Sequence, residues 1–248
     1  MSEAILLAGF EERVAPELAR RRRVLVPDLP GHGGSATAAA PEGLWSFADV
    51  LAQLAEREQM LPAAVVGHSM GCEVALQLAV RRPEAVSALV LVSASGLAVR
   101  TWRARIWVRV TTTLRPSRVV ARHRFRVAGS PRLKRVVFGG WGAHDPGALS
   151  PEAVLGFLDG SARARDTATA GRALVSSDAL GDLGSVSCPT LVVWGARDRL
   201  TPLEHGFEYA RRLRAPLRTI AGAGHLVISE RPSECAALIG EFLESVTE

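Results

Sequence analysis

The chain has 248 residues, of which 48% are hydrophobic, and its 30 basic and 25 acidic side chains give a net charge of +5 and a pI of about 10.0. This length suits one large domain with an insertion, and the hydrophobic content supports a substantial core. The apolar runs are too short for a transmembrane helix, the acidic start is unlike a signal peptide, and three cysteines without metal-ligand spacing predict reduced thiols in a cytoplasmic protein.

The first sixty residues predict two strands that alternate with two helices. A short apolar run at 4–7 has the character of a buried parallel strand, and residues 23–27 are predicted to form a second strand. Apolar residues at helical spacing predict helices over 11–21 and 44–60. The second strand runs into a glycine-rich turn, Asp28-Leu29-Pro30-Gly31-His32-Gly33-Gly34-Ser35.

The next stretch predicts a strand over 63–66, a sharp turn and a helix over 72–81, with Ser69 at the tip of the turn. The turn reads Gly67-His68-Ser69-Met70-Gly71, which is the G-x-S-x-G pattern of a nucleophile elbow. A serine in such a turn has a strained backbone, so the residues two before and two after it must be small. The pattern is weak alone, but the predicted strand and helix around it supply the required context.

The strand–helix alternation stops after a strand over 88–92. Residues 97–186 are helical in pattern but irregular, and Ser150-Pro151 is a typical helix start. Alternation then resumes with a strand over 190–194, a helix over 202–213, a strand over 217–221 and a helix over 232–246. We therefore predict a core formed by residues 1–96 and 187–248, interrupted by a helical insertion.

This order of elements predicts a parallel, doubly wound sheet that is covered on both faces. Ligands of such sheets bind beyond the carboxyl ends of the strands. Four groups directly follow predicted strands and should meet there: the Gly9-Phe10 turn, Ser69, Asp198 and His225.

The chemistry of these residue types predicts a catalytic triad. A serine hydroxyl is a weak nucleophile that needs a nearby base, and the base needs an acid to orient it. His225 is the predicted base and Asp198 the predicted acid, in the chain order that elbow-type enzymes use. The backbone N–H groups of Met70 and Phe10 are predicted to form the oxyanion hole.

Other residues fit these roles less well. His68 flanks the serine but must point away from the tip of the turn, and His32 lies in a loop where a structural role is favoured. Glu230 and Asp182 are rival acids, but only Asp198 ends a strong strand at a turn. The remaining histidines, expected at the solvated surface, are His123, His144 and His205.

These motifs together resemble the α/β-hydrolase superfamily. The matching segments are Gly67 to Gly71, Asp28 to Ser35, Trp194-Gly195-Ala196-Arg197-Asp198 and Gly222-Ala223-Gly224-His225. The resemblance implies an α/β-hydrolase fold with a mainly parallel sheet of about six strands and a Ser-His-Asp hydrolase without cofactor or metal. It also implies that residues 97–186 form a helical cap over the site.

Two departures from the family pattern affect these expectations. Relatives usually carry His-Gly before the oxyanion residue, where this chain has Ala8-Gly9, so the oxyanion loop is expected to be less well supported. Relatives also carry two strands before the family's third strand, close to which this chain begins. We therefore expect six parallel strands, with 23–27 at an exposed edge that is covered or mediates a homodimer.

Ser69 at the nucleophile position narrows the reaction. Haloalkane dehalogenases and epoxide hydrolases of this fold place Asp there, so the resemblance favours a carboxylesterase that cleaves small-molecule acyl esters through an acyl-enzyme. A thioesterase, a lactonase, an acyltransferase and a C–C bond hydrolase remain alternatives. A ligand-binding member with weak catalysis is another, because of Ala8 and the absent strands.

The cap sequence is strongly basic. Between Leu97 and His144 there are twelve Arg or Lys residues and no Asp or Glu, and aromatic residues are interleaved with them. Trp102 and Trp141 are expected to line the substrate pocket. An amphipathic lid explains this composition, as does an anionic partner such as an acyl carrier protein, a CoA thioester or an acidic membrane surface. No nucleic-acid recognition motif is present, and the protein is not expected to bind nucleic acid.

Overall fold

The computed structural model describes residues 3–7, 13–36, 43–100, 102–176, 181 and 183–246. Six strands lie in the described residues: β1 Glu3–Leu7, β2 Arg23–Leu25, β3 Ala63–His68, β4 Val86–Val92, β5 Thr190–Gly195 and β6 Leu217–Ile220. They form one sheet in the order β2-β1-β3-β4-β5-β6, and every neighbouring pair is parallel. The predicted six-stranded parallel sheet is therefore confirmed, and β2 lies at one edge as expected.

Twelve α-helices lie in the described part of the chain. They are α1 Val14–Leu18, α2 Leu44–Arg57, α3 Met70–Arg81, α4 Trp102–Leu114, α5 Pro116–Ala121, α6 Arg124–Ala128, α7 Pro131–Phe138, α8 Pro151–Arg163, α9 Thr167–Ser176, α10 Leu203–Leu213, α11 Val227–Glu230 and α12 Pro232–Ser245. None of these described helices combines the length and apolarity needed to cross a bilayer.

Alternation of side chains along the strands divides the core into two layers. In β1, Ile5 and Leu7 pack in one layer with α2, α3 and α10, whose contributions include Tyr209. Ala4 and Leu6 pack in the other layer with α1 and α12. Both faces of the sheet are thus covered, as a parallel sheet requires.

Several helix ends differ from the predicted ones. α2 ends at Arg57 rather than residue 60, and Gln59 just beyond it has a left-handed φ of 54°. α3 begins at Met70, directly after the serine, rather than at residue 72. α11 was not predicted, because four residues are too few to show a helical period.

Helices α4 to α9 occupy the chain between β4 and β5, where the cap was predicted. Phe138, Val154 and Leu158 form their own apolar cluster, which also includes Leu226 from the loop before α11. α8 begins as predicted, with the Ser150 hydroxyl accepting a hydrogen bond from the Ala153 N–H at 3.1 Å. The domain limits at 97 and 186 remain a prediction.

Candidate active site

Ser69 lies in a tight turn between β3 and α3. Its φ of 52° and ψ of −119° place a non-glycine residue in a strained region of backbone conformation. A Cβ atom on Gly67 would lie 2.5 Å from the Gly71 carbonyl oxygen, and one on Gly71 would lie 2.6 Å from that of Leu7. Larger residues cannot occupy these two positions without moving the backbone, so the sequence pattern and the turn require each other.

The three predicted triad side chains lie in one hydrogen-bonded chain. His225 Nε2 is 2.9 Å from Ser69 Oγ, and His225 Nδ1 is 3.0 Å from Asp198 Oδ2. Asp198 and His225 are buried, whereas Ser69 is partly exposed. Because the carboxylate can only accept, this arrangement assigns the ring proton to Nδ1 and leaves Nε2 free to accept the serine hydroxyl.

The Asp198 carboxylate is held in place by the residues that follow it. Oδ1 accepts the N–H groups of Leu200 and Thr201 at 2.9 and 2.8 Å, and Oδ2 accepts the Thr201 hydroxyl at 2.6 Å. Burial alone would raise the pKa of Asp198, but hydrogen bonds from His225 and Thr201, with the attraction of the imidazole, outweigh it and lower that pKa. The carboxylate therefore stays ionised at neutral pH and faces the imidazole.

His68, which the sequence analysis does not favour as the base, contacts the backbone of His225 instead. Its Nε2 lies 2.8 Å from the main-chain oxygen of His225, and the two rings are 5.2 Å apart. Burial, followed by repulsion from His225, lowers the pKa of His68 to about 3. A neutral His68 that donates from Nε2 thus fixes the backbone that carries His225. No sequence signal distinguishes this contact.

Glu230, the rival acid, joins the histidine loop to the cap rather than to the imidazole. Its Oε1 accepts the Gly224 N–H at 2.6 Å, and its Oε2 accepts the N–H groups of His144 and Asp145 at 2.8 and 3.2 Å. The Leu226 N–H also donates to the Gly142 carbonyl at 2.9 Å. Leu226 is therefore bonded directly to the cap segment between α7 and α8, and Gly224 is linked to it through Glu230. The other rival acid, Asp182, lies outside the described residues.

Glu73 is a buried carboxyl group that sequence reasoning missed. It lies one turn after Ser69, and its Oε1 accepts the Gly96 N–H and the Tyr209 hydroxyl, each at 2.8 Å. Burial raises the pKa of Glu73 to about 7. Gly96 follows β4 where the chain enters the cap segment, so Glu73 connects α3 to that junction.

The structure describes Met70 and His32 of the other predicted site residues, but not Phe10. Met70 is the first residue of α3, so its N–H lies at a helix N-terminus, where backbone donors lack partners within the helix. Phe10, the second predicted oxyanion donor, lies outside the described residues, as do Ala8 and Gly9. His32 Nδ1 is 3.2 Å from the Pro30 carbonyl oxygen, which is a local contact of its own loop.

The two tryptophans predicted to line the pocket differ in burial. Trp141 is partly buried and packs against Phe138 and Phe157, with ring centroids 6.3 and 5.8 Å away. Trp102 opens α4 and is 67% exposed. In the described part of the chain, no three His, Cys, Asp or Glu side chains are grouped to hold a metal ion.

Comparison with known proteins identifies relatives along nearly the whole chain. A family model described as the alpha/beta hydrolase family matches residues 4–238. A pimeloyl-[acyl-carrier protein] methyl ester esterase from Chromobacterium violaceum is 32% identical over 251 residues, covering 97% of this chain and 91% of that one. A 2-hydroxymuconate semialdehyde hydrolase from Pseudomonas sp. (strain CF600) is 29% identical and covers 93% of this chain and 79% of that one.

Solved structures share the fold. A thermophilic esterase from Thermogutta terrifontis superposes with a TM-score of 0.75 at 23% identity, covering 99% of this chain and 90% of that one. An enol-lactonase from Burkholderia xenovorans LB400 gives a TM-score of 0.72 at 21% identity, covering 98% and 92%. At these identities the superpositions establish the fold alone.

Proposed function

Because the chain belongs to the alpha/beta hydrolase family, we propose that it is a carboxylesterase-type serine hydrolase. In this proposal Ser69 is the nucleophile, His225 the general base and acid, and Asp198 the group that orients His225. The observation that carries it is the chain of contacts from Ser69 Oγ through the imidazole to the Asp198 carboxylate, at 2.9 and 3.0 Å.

The first half of the proposed reaction forms an acyl-enzyme. Ser69 Oγ attacks the ester carbonyl carbon while His225 Nε2 takes the hydroxyl proton, and Asp198 stabilises the resulting imidazolium. The tetrahedral intermediate collapses, the bond to the leaving alcohol breaks, and the imidazolium returns the proton to that oxygen. Ser69 then carries the acyl group.

Water completes the cycle. His225 takes a proton from water, the hydroxide oxygen attacks the acyl carbonyl, and the bond to Ser69 Oγ breaks with return of the proton to the serine. Ester and water thus give acid and alcohol without a cofactor. The oxyanion formed in both halves is assigned to the backbone N–H groups of Met70 and Phe10.

The substrate class is proposed from two lines of support. Serine at the nucleophile position suits acyl transfer, and the relative from Chromobacterium violaceum is described as a methyl ester esterase. The second candidate is a C–C bond hydrolase, supported by the 29% identical 2-hydroxymuconate semialdehyde hydrolase. Both reactions use the same triad and differ in the bond that is cleaved.

A panel of p-nitrophenyl esters of increasing acyl length tests the proposal. We expect turnover by the wild type and loss of that turnover in Ser69→Ala, with a meta-cleavage product assayed beside the esters. Turnover of that product without ester cleavage would favour the C–C hydrolase. Ester turnover retained by Ser69→Ala, or none in the wild type with either substrate, would contradict the proposal and favour a ligand-binding member of the fold.

Four further assignments rest on the sequence and remain predictions. They are a pocket lined by Trp102 and Trp141, an anionic carrier or substrate at the basic cap, a homodimer through the β2 edge, and a cytoplasmic location.

A further inference from the structure

Helix α4 presents large apolar side chains to solvent. Ile106 is 53% exposed, Trp107 48%, Val110 46% and Leu114 74%. Three of these are spaced by four residues, and a helix repeats every 3.6 residues, so they form one continuous stripe. We call Ile106, Trp107, Val110 and Leu114 the α4 face.

The opposite side of α4 is packed against the rest of the cap. Val108 and Thr112 are partly buried, and the Thr112 carbonyl accepts the Thr167 hydroxyl at 2.9 Å. A Cβ atom on Gly171 of α9 would lie only 2.9 Å from the Thr112 side chain, so the two helices are in close contact. The α4 face therefore points away from the contacts that hold the helix in place.

The charged side chains of α4 itself are all basic. Arg105 and Arg109 are exposed on the same helix, and the twelve basic residues between 97 and 144 have no acidic residue among them. Two acidic side chains of neighbouring cap elements in the described residues have partners of their own. Asp159 pairs with Arg124 at 2.8 Å, and Asp166 accepts the Thr169 N–H at 2.9 Å and is attracted to Arg115, just beyond the end of α4. The surface is thus both apolar and cationic.

We propose that the α4 face is a docking surface for an anionic phospholipid bilayer, with α4 lying in the plane of the interface. A helix of 13 residues is about 20 Å long. Interfacial helices bury an apolar face at the boundary of headgroups and acyl chains, with tryptophan and arginine at headgroup level. An anionic bilayer satisfies apolar and cationic side chains along the whole helix at once, whereas a protein partner would need a matching surface that is both apolar and acidic.

Vesicle sedimentation tests the apolar part of this proposal. The probes are vesicles of phosphatidylcholine alone and of equal parts phosphatidylcholine and phosphatidylglycerol. We expect the wild type to bind the anionic vesicles at least on the order of tenfold more strongly. The variant Ile106→Gln/Trp107→Gln/Val110→Gln should lose that binding, while Phe207→Gln, which removes an equally exposed apolar side chain from α10, should keep it.

A pair of charge variants tests the electrostatic part. Arg105→Gln/Arg109→Gln should weaken binding to the anionic vesicles on the order of tenfold, since each arginine near the surface is attracted to the anionic lipid. Arg214→Gln/Arg218→Gln removes the same charge from the end of α10 and from β6 and should change binding little. Raising the salt concentration should weaken wild-type binding and reduce the difference between these pairs.

Circular dichroism and thermal unfolding check that each variant is folded. Because sedimentation measures binding directly, no step of the test depends on esterase activity. Binding that is equal for the two lipid compositions, or unchanged in both the apolar and the charge variants, would overturn the proposal. The proposal would also be overturned if the wild type did not bind vesicles and the α4 face instead formed a dimer contact. The same holds if that face bound an acidic protein such as an acyl carrier protein.

Discussion

Asp198 accepts hydrogen bonds from two backbone N–H groups and one hydroxyl while its second oxygen faces His225. In Asp198→Asn the side chain keeps its size but loses its charge and presents an amide that can donate to the imidazole. The ring then adopts the wrong tautomer, and we expect kcat for a p-nitrophenyl ester to fall about a thousand- to ten-thousandfold. Asp49→Asn on α2 is the control, and a loss of less than tenfold in Asp198→Asn would contradict the assigned role.

The positions of these residues could be predicted because each follows a strand of a parallel sheet. Ser69 and Asp198 follow buried apolar strands and His225 follows the last strand, so topology brings them to one edge of the sheet. The contacts of His68 and Glu230 could not be predicted in this way. They join residues far apart in sequence, and their geometry depends on the path of loops that the hydrophobic pattern does not describe.

At the scale of elements, Glu230 of α11 joins the loop that carries His225 to the cap segment between α7 and α8, through three backbone N–H groups. Glu230→Ala leaves these donors without their acceptor and frees the loop that carries His225. We expect kcat to fall about 10- to 100-fold with little change in KM, because small displacements of a catalytic base are costly. Glu230→Gln, which keeps one acceptor oxygen, should lose less.

The pH profile distinguishes positioning from loss of stability in that experiment. If Glu230 positions His225, the acidic limb of the plot of kcat/KM against pH should shift in Glu230→Ala. It should remain in place in the control Glu234→Ala on α12. An unchanged profile and kcat with a lowered melting temperature would show that Glu230 only stabilises the fold.

Glu73 on α3 should make stability depend on pH. Its pKa is raised from 4.5 to about 7 in the folded protein, because burial disfavours the carboxylate. The folded state then binds the proton more tightly than the unfolded state, so the free energy of unfolding should fall by about 3 kcal/mol as pH rises through this interval. His68 acts in the opposite direction, since its lowered pKa costs stability as the pH falls below 6.5.

Urea unfolding across this pH range isolates the Glu73 contribution. Glu73→Gln keeps an oxygen for Gly96 and Tyr209 but cannot ionise, so its stability should fall less with rising pH than that of the wild type. The exposed Glu58→Gln serves as the control. Parallel pH curves for wild type and Glu73→Gln would show that this carboxyl group titrates normally.

The elements themselves were predictable to different degrees. Strands were located closely, because short aliphatic runs between turns have few alternatives in a parallel sheet. Helix ends were less accurate: α2 stops three residues early, and α3 starts at Met70 because the strained Ser69 directly adjoins the helix. These ends depend on local backbone conformation rather than on the apolar period.

At the scale of the whole molecule, the sheet and the cap differ in what their sequences specify. Alternation of strand and helix predicts a parallel sheet and restricts its strand order to a few possibilities. The cap has helices of 5 to 13 residues with breakers such as Pro116 and Gly139 among them. Its packing depends on contacts such as Phe138 with Phe157, which no sequence period indicates. The basic and apolar character of the cap can be predicted from its composition. The exposure of the α4 face can be recognised only in the three-dimensional structure.

The proposed reaction depends most on a Ser69 hydroxyl that is activated by His225. Intact-mass spectrometry after treatment with an alkyl fluorophosphonate measures this directly, since the reagent phosphonylates only an activated serine. We predict one adduct per chain, located on Ser69 by peptide mapping, absent in Ser69→Ala, and formed about a thousandfold more slowly in His225→Ala. No adduct on the folded wild type, or an adduct at another residue formed equally fast in Ser69→Ala, would contradict the account.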